Sequence, residues 1–283
     1  MGLYSDVLLT VDYDRTLTDT NAVVPQRNLD AIRYFIDNGG TFTVNSGRSL
    51  PMARCFRDIV PMNAPLLLYN GSAWYDTKEE KLMNARLIDL DPVTAVYELQ
   101  SRFPELTIEI QGLYHHHIFK KNAIWEDYNV NNGSSWEYTT PDQTGPFIKF
   151  AVYGYFIDNK TSTMYQFTPR EEALFNEVTA YIEEKWGDKL ELFRACPRIL
   201  DLHAKGASKL RSARDLQKHL GKKILVCVGD ADNDLTMLEG ADYAFCPSDG
   251  IVAARFPNVC PCGEGAVADV IYEKIPEILK NQK

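Results

Sequence analysis

The chain opens with a short apolar run that ends in two carboxylates, and this junction limits the possible folds more than any other stretch. Residues 7–11 are apolar and mostly β-branched or leucine, which predicts a strand buried on both faces, as in parallel sheets. Asp12 and Asp14 follow at once. Open α/β sheets bind ligands outside the carboxyl ends of their strands, and strand side chains two residues apart point the same way. We therefore expect both carboxylates to converge on one ligand.

Strands and helices alternate through the first part of the chain. A helix is predicted where Pro25 suits the first turn and an apolar stripe continues to the stop at Gly39 and Gly40. The dipeptide Asn70-Gly71 signals a turn. The predicted strands are residues 7–11, 41–45 and 66–69, and the predicted helices are residues 25–38 and 49–59. This order predicts a parallel, doubly wound, Rossmann-like sheet.

The pattern changes after about Asn84 and returns near Ser208. Between them lie short strands with few helices, one helix opened by a capping box at Thr168, and a polar stretch at residues 129–145 that we expect to be a loop. A helix at 208–220 and strands at 224–228 and 243–245 follow. We predict an α/β core with an inserted α+β cap, made of these ranges: residues 1–83 and 196–283 for the core, and 84–195 for the cap.

Composition excludes some classes of partner. The 283 residues carry 30 Lys and Arg against 39 Asp and Glu, a net charge of −9, which argues against nucleic acid. A small phosphorylated substrate stays possible, because one metal ion reverses the local field. No apolar run is long enough to span a membrane, no leader pattern opens the chain, and the six cysteines show no metal spacing. We expect a reduced, cytoplasmic protein with no membrane or obligate protein partner.

Polar groups with complementary chemistry follow the predicted core strands or begin the predicted core helices. They are Asp12 and Asp14; Ser46, Gly47 and Arg48; Lys209; and Asp230 and Asp234 in a Gly-Asp-x-x-Asn-Asp turn. Hard oxygen ligands without nearby His or Cys favour Mg²⁺ over zinc. A metal, a lysine, a hydroxyl and backbone N–H groups around one carboxylate are what phosphoryl transfer requires. The sequence thus predicts a Mg²⁺-dependent site for a phosphoryl group.

These motifs resemble, in order and spacing, the four motifs of haloacid dehalogenase-like phosphatases. They are DxDxT at residues 12–16, Ser-Gly-Arg at 46–48, Lys209 and GDxxND at 229–234. The large insertion between the second and third motifs resembles the Cof-type branch of that family. The resemblance covers the core at both ends of the chain, whereas the cap matches in position and length more than in residues.

The resemblance implies a role for each matching residue. Asp12 is the expected nucleophile, which forms an aspartyl-phosphate, and Asp14 is the expected general acid and later base. Ser46 and Lys209 act in catalysis by holding the transferring phosphoryl group. The residues implied to bind substrate or phosphate are Ser46, Gly47, Arg48, Lys209 and Asn233.

The resemblance also implies a ligand set for Mg²⁺. The Asp12 carboxylate, the Asp14 backbone carbonyl and Asp230 are the expected ligands, and Asn233 and Asp234 orient them. Two residues depart from the pattern of the branch. Leu210 follows Lys209 where Gly is common, which we expect to be harmless at the start of a helix. Arg15 stands where Gly is usual, so we expect a turn that tolerates a Cβ atom.

Three functional interpretations remain open from the sequence. The first is a phosphatase acting on a small phosphorylated metabolite such as a sugar phosphate. A phosphotransferase or phosphomutase has the same core motifs, and a non-catalytic phosphometabolite-binding protein would be expected to lack one of the catalytic residues. In the cap, residues 115–117 are three consecutive histidines. Successive strand residues cannot all face one ion, so we interpret them as a polar strand edge.

Overall fold

The computed structural model describes residues 2–121, 123–153, 168–196 and 199–281. The chain forms two compact units. One comprises Met1–Gly47, Phe56–Met83 and Ser208–Lys283, and the other comprises Arg48–Cys55 and Asn84–Ala207. Among the described residues, no helix has the length and apolar character needed to cross a membrane.

The described residues form strands and helices joined by short 3₁₀ and π turns. The strands are β1 (Val7–Val11), β2 (Thr41–Val44), β3 (Leu66–Leu68), β4 (Ala73–Asp76), β5 (Lys81–Met83), β6 (Thr107–Gly112), β7 (His116–Ile118), β8 (Trp136–Tyr138), β9 (Phe147–Tyr153), β10 (Leu190–Cys196), β11 (Ile199–Ala204), β12 (Ile224–Val228), β13 (Tyr243–Pro247) and β14 (Asn258–Val259). The helices are α1 (Gln26–Asp37), α2 (Leu50–Arg57), α3 (Pro92–Arg102), α4 (Ala123–Asn131), α5 (Pro169–Trp186), α6 (Lys209–His219), α7 (Leu235–Glu239), α8 (Ala266–Asp269) and α9 (Ile275–Asn281).

The first unit is built on a parallel sheet in the order β14-β13-β12-β1-β2, which confirms the predicted doubly wound fold class. Every residue of β1 and β12 is buried, which explains their continuous apolar sequences. Val11 is paired with Val228, and the Asp12 N–H donates to the Val228 carbonyl at 2.9 Å. The two strands, which are distant in sequence, therefore end side by side.

The third predicted strand differs from the expectation. β3 contacts the parallel sheet through an isolated parallel bridge between Asn45 and Leu67, and it pairs antiparallel with β4. The turn between them reverses the chain, because Tyr69, Asn70 and Gly71 all have positive φ angles of 53°, 51° and 84°. A Cβ on Gly71 would lie 2.2 Å from the Ser208 carbonyl oxygen, so only glycine fits. The predicted turn is present, but it forms a hairpin rather than a βα connection.

The core of the first unit gives a stability prediction. Leu225, the second residue of β12, is fully buried in a cluster with Leu8, Leu216 and Met237. Leu225→Ala is expected to lower the free energy of unfolding by about 2–5 kcal/mol, measured by urea denaturation, because a cavity replaces packed atoms. Leu3→Ala, at a position 60% exposed, is the matched control and should change it by less than about 0.5 kcal/mol. Equal effects would contradict this packing.

The second unit contains a six-stranded sheet in the order β10-β11-β9-β6-β7-β8. Its pairs are antiparallel except β7 with β8. Alternate residues such as Ile108 and Ile110 face one side, where they pack with side chains of α3 and α5. The predicted capping box at the start of α5 is present, with Thr168 and Glu171 each bonding to the other's backbone. The apolar face of this sheet is therefore the core of the second unit.

The expectation that residues 129–145 form a loop is wrong. The end of α4 and the whole of β8 lie in this stretch. Trp125 of α4 stacks between Tyr128 and Tyr153, with ring centroids 4.3 Å and 3.5 Å away. β8 is held by parallel pairing with β7, and the stacking of Trp125 on Tyr153 holds α4 against β9. The polar composition of residues 129–145 indicated a loop because it does not contain these tertiary contacts.

Candidate active site

Three buried carboxylates meet where β1 and β12 end. Asp12 follows β1, Asp230 follows β12 by one residue, and Asp234 closes the next turn. Their exposed fractions are 6%, 3% and 0%, and a carboxylate oxygen from each lies within 4.8 Å of the others. The parallel register of the two strands therefore places the first and last sequence motifs in one cluster.

Lys209 supplies the positive charge that pairs with this cluster. It is the first residue of α6, whose preceding residue, Ser208, accepts a hydrogen bond from the Arg211 N–H at 3.1 Å. The Lys209 Nζ is fully buried and donates to Asp12 Oδ1 at 2.5 Å and to Asp234 Oδ1 at 2.6 Å. Burial by itself would lower the pKa of Lys209, but the two carboxylates raise it. The ammonium group therefore stays charged.

Asp234 holds the loop in shape. While Oδ1 bonds to Lys209, Oδ2 accepts the backbone N–H groups of Asp230 and Ala231 at 3.0 Å and 3.1 Å. A Cβ on Gly229 would lie 2.6 Å from the Asp234 Cβ, so glycine is required for this close approach. Both oxygens of Asp234 are thus engaged in positioning Lys209 and Asp230.

The cluster carries more negative than positive charge. Burial raises the pKa of Asp12 well above its usual range, with Asp234 and Asp230 adding to the shift and Lys209 opposing it. Burial and Asp234 raise the pKa of Asp230 to about 7. Crowded carboxylates of this kind are relieved by a proton or by a cation. An all-oxygen donor set suits a hard divalent cation, so these residues fit the metal that the sequence predicts.

Two residues without a role in the sequence analysis support the cluster. Thr16 is the last residue of DxDxT, and its hydroxyl donates to Asp230 Oδ1 at 3.0 Å. Asn45 directly precedes the Ser-Gly-Arg motif, and its Nδ2 donates to the Lys209 carbonyl at 2.9 Å. In the sequence, only their position within or next to a motif could have pointed to these two residues.

The contact between Thr16 and Asp230 gives a second prediction. Thr16→Val keeps the shape of the side chain but removes the hydrogen bond that orients Asp230. We expect the affinity for a divalent cation to fall about tenfold, measured by titration calorimetry. Thr20→Val, at an exposed position in the same segment, should leave the affinity unchanged. Unchanged affinity in the Thr16 variant would show that the hydrogen bond does not orient this carboxylate.

The second motif is divided between the two units. Ser46 and Gly47 belong to the first unit, where the Ser46 N–H donates to the Leu67 carbonyl at 2.9 Å and the Ser46 carbonyl accepts from the Asn70 N–H at 3.0 Å. A Cβ on Gly47 would lie 2.9 Å from Asn70 Oδ1. Arg48 belongs to the second unit.

The remaining predicted residues lie around the cluster. Asp14 is partly buried and does not belong to the group of three carboxylates within 4.8 Å. Asn233 is partly exposed in the turn Asp232–Asp234. Arg15 has φ 58° and ψ 13°, the left-handed conformation, which costs a residue with a Cβ about 1 kcal/mol. The turn therefore accepts a residue with a Cβ atom, at this small cost in backbone strain.

Comparison with known proteins defines the class. The family model of haloacid dehalogenase-like hydrolases matches residues 9–254. The chain therefore belongs to this family, and the resemblance inferred from the four motifs is confirmed.

Individual relatives are distant in sequence but match over most of their length. A 5-amino-6-(5-phospho-D-ribitylamino)uracil phosphatase of Bacillus subtilis is 21% identical over 236 residues, covering 83% of this chain and 80% of the relative. A haloacid dehalogenase-like hydrolase of Bacteroides thetaiotaomicron has a similar structure, with a TM-score of 0.77, 20% identity, and coverage of 96% of this chain and 99% of that one. A subclass IIB sugar phosphatase gives a TM-score of 0.74 at 17% identity, with coverage of 96% and 99%.

Proposed function

We propose that the protein is a Mg²⁺-dependent phosphatase that hydrolyses a small phosphorylated metabolite, a sugar phosphate or a similar monoester, through an aspartyl-phosphate on Asp12. The observation that carries this proposal is the buried Asp12 carboxylate, hydrogen-bonded to Lys209 and clustered with Asp230. The names of two similar proteins, a ribitylamino-uracil phosphatase and a sugar phosphatase, support the substrate class. We also propose that residues 84–195, the predicted cap, select the leaving group.

Mg²⁺ would be held by the Asp12 and Asp230 carboxylates and the Asp14 backbone carbonyl, with Asn233 and Asp234 orienting the ligands. When bound, the cation would neutralise the crowded carboxylates and the phosphoryl oxygens. Asp12 has a raised pKa without a cation, so the cation would keep the nucleophile ionised.

The reaction proceeds in two displacements at phosphorus. An Asp12 oxygen attacks the phosphorus atom, the ester P–O bond breaks, and Asp14 gives its proton to the leaving oxygen. Asp14 then takes a proton from water as the water oxygen attacks the same phosphorus, which releases inorganic phosphate and restores the Asp12 carboxylate. Lys209 and Ser46 hold the phosphoryl oxygens in both steps, with Gly47 and Arg48 beside them.

Phosphate release from a panel of sugar phosphates, other metabolite monoesters and an aryl phosphate tests the proposal. Release with Mg²⁺ that stops with EDTA is the expected result, and the rank order of substrates defines the leaving group. An isomerised sugar phosphate without free phosphate would instead identify a phosphomutase. If folded protein with bound Mg²⁺ formed no product at all, the proposal of a phosphatase would be contradicted. The interpretation as a phosphometabolite-binding protein would then be favoured.

A further inference from the structure

The middle member of the three histidines at residues 115–117 has partners that the proposed reaction does not use. His116 is 1% exposed. Its Nε2 lies 2.7 Å from Ser49 Oγ, and its Nδ1 lies 3.1 Å from Asn129 Oδ1 and 3.2 Å from Glu109 Oε1. All four residues belong to the second unit. His116 therefore connects β7 to a residue 67 positions earlier in the chain.

The surrounding groups determine which nitrogen of His116 carries the proton. Asn129 Nδ2 donates to the Trp125 carbonyl and to Glu109 Oε2, both at 3.2 Å, so its Oδ1 faces His116. Nδ1 of His116 thus faces two acceptors and must donate. Burial lowers the pKa of His116, so the imidazole is neutral and its Nε2 accepts from the Ser49 hydroxyl.

Ser49 occupies the start of α2. It is fully buried and directly precedes Leu50, the first helical residue. Its carbonyl accepts from the Ala53 N–H at 2.9 Å, and its Oγ accepts from the Met52 N–H at 3.4 Å. Because His116 takes the hydroxyl hydrogen, the Oγ lone pairs are directed towards the helix N–H groups. His116 therefore fixes the side chain that caps α2.

The segment that Ser49 follows is the second motif, residues 46–48. Its first residue is held by backbone hydrogen bonds with Leu67 and Asn70. Its other end continues directly into Ser49, which His116 holds. A segment whose following residue is held by a buried hydrogen bond has fewer conformations to lose when it binds a phosphoryl group.

We propose that His116 is a positioning residue: through its hydrogen bond to Ser49 it holds the phosphate-binding segment, residues 46–48, in the conformation that contacts the phosphoryl group. This role rests on the proposed function. Glu109, fully buried and accepting from Trp125, Asn129 and Gln111, fixes the imidazole from its other side. The relay runs from Glu109 through His116 to Ser49.

Two substitutions of His116 separate positioning from simple packing. His116→Asn keeps a polar group where Nδ1 lies but cannot reach Ser49, whereas His116→Gln keeps one where Nε2 lies. The Asn variant loses the hydrogen bond to Ser49, and the Gln variant loses the hydrogen bonds made by Nδ1. We therefore expect similar losses of thermal stability in the two variants. We expect kcat/KM for an aryl phosphate to fall about tenfold in the Asn variant and to stay near the wild-type value in the Gln variant. Equal losses in both variants would overturn the proposal.

Hydrogen exchange gives a readout that does not depend on turnover. Amide exchange in residues 46–49 is expected to accelerate about tenfold in His116→Asn, and to stay at the wild-type rate in His116→Gln and in the control His117→Asn. His117 lies on the opposite face of β7 and does not bond Ser49. A wild-type protein that releases no phosphate but shows this pattern would refute the proposed function alone. Identical exchange in all variants would refute the positioning role.

Discussion

Replacing Asp12 with Asn is expected to lower kcat for phosphate release by about 10⁴-fold or more, because an amide cannot form the aspartyl-phosphate. Phosphate release in the presence of Mg²⁺ measures this effect. The amide oxygen of Asn still accepts from Lys209, which is 2.5 Å from the Asp12 carboxylate, so the buried contact is retained. Removing one of three crowded negative charges should leave the free energy of unfolding without Mg²⁺ unchanged or raised.

The control for this variant is Asp232→Asn, an exposed position in the loop that carries Asp230 and Asp234. It removes the same charge near the site without touching the cluster, and it should keep wild-type kcat. Wild-type turnover in the Asp12 variant would remove Asp12 from the role of nucleophile. A loss of turnover accompanied by unfolding would leave that role unsupported, and circular dichroism distinguishes the two cases.

Lys209→Met is expected to have the second largest effect. The variant leaves Asp12 and Asp234 buried without the ammonium that both contact, which costs about 3–5 kcal/mol of unfolding free energy. Urea denaturation in EDTA measures the loss, and added Mg²⁺ should restore part of it by supplying a cation. Turnover should also fall, by about 10²-fold or more, because the phosphoryl oxygens lose a positive charge.

Lys218→Met is the matched control, since Lys218 is exposed near the end of the same helix, α6. That change should alter the free energy of unfolding by less than about 0.5 kcal/mol. Equal effects of the two substitutions would contradict the assignment of Lys209 as the counter-ion of the cluster.

Much of the core and the composition of the site follow from the sequence. The apolar runs of β1 and β12 directly precede acidic motifs, so the sequence predicts that these motifs lie at the carboxyl ends of buried strands. Parallel pairing of Val11 with Val228 then accounts for the meeting of Asp12 and Asp230. Strand ends and their polar neighbours are local patterns, which a single sequence contains.

Other features depend on contacts that local patterns do not contain. The sequence does not show that one oxygen of Asp234 accepts from Lys209 and the other from a backbone N–H of the turn. The hydrogen bond from Thr16 to Asp230 joins residues 214 positions apart. The relay from His116 to Ser49 likewise joins residues that only the fold brings together. Distances of this kind are set by packing and strand register, so the sequence predicts which residues cluster better than it predicts their hydrogen-bond partners.

The most direct test is to trap the proposed aspartyl-phosphate. The enzyme is mixed with excess substrate and Mg²⁺, quenched in acid and treated with borohydride, which reduces an acyl phosphate to an alcohol. Tandem mass spectrometry then locates the modified residue. We predict homoserine at position 12, dependent on substrate and absent from the Asp12→Asn variant. Turnover without homoserine at position 12, or with the reduced residue elsewhere, would contradict the assignment of Asp12 as the nucleophile.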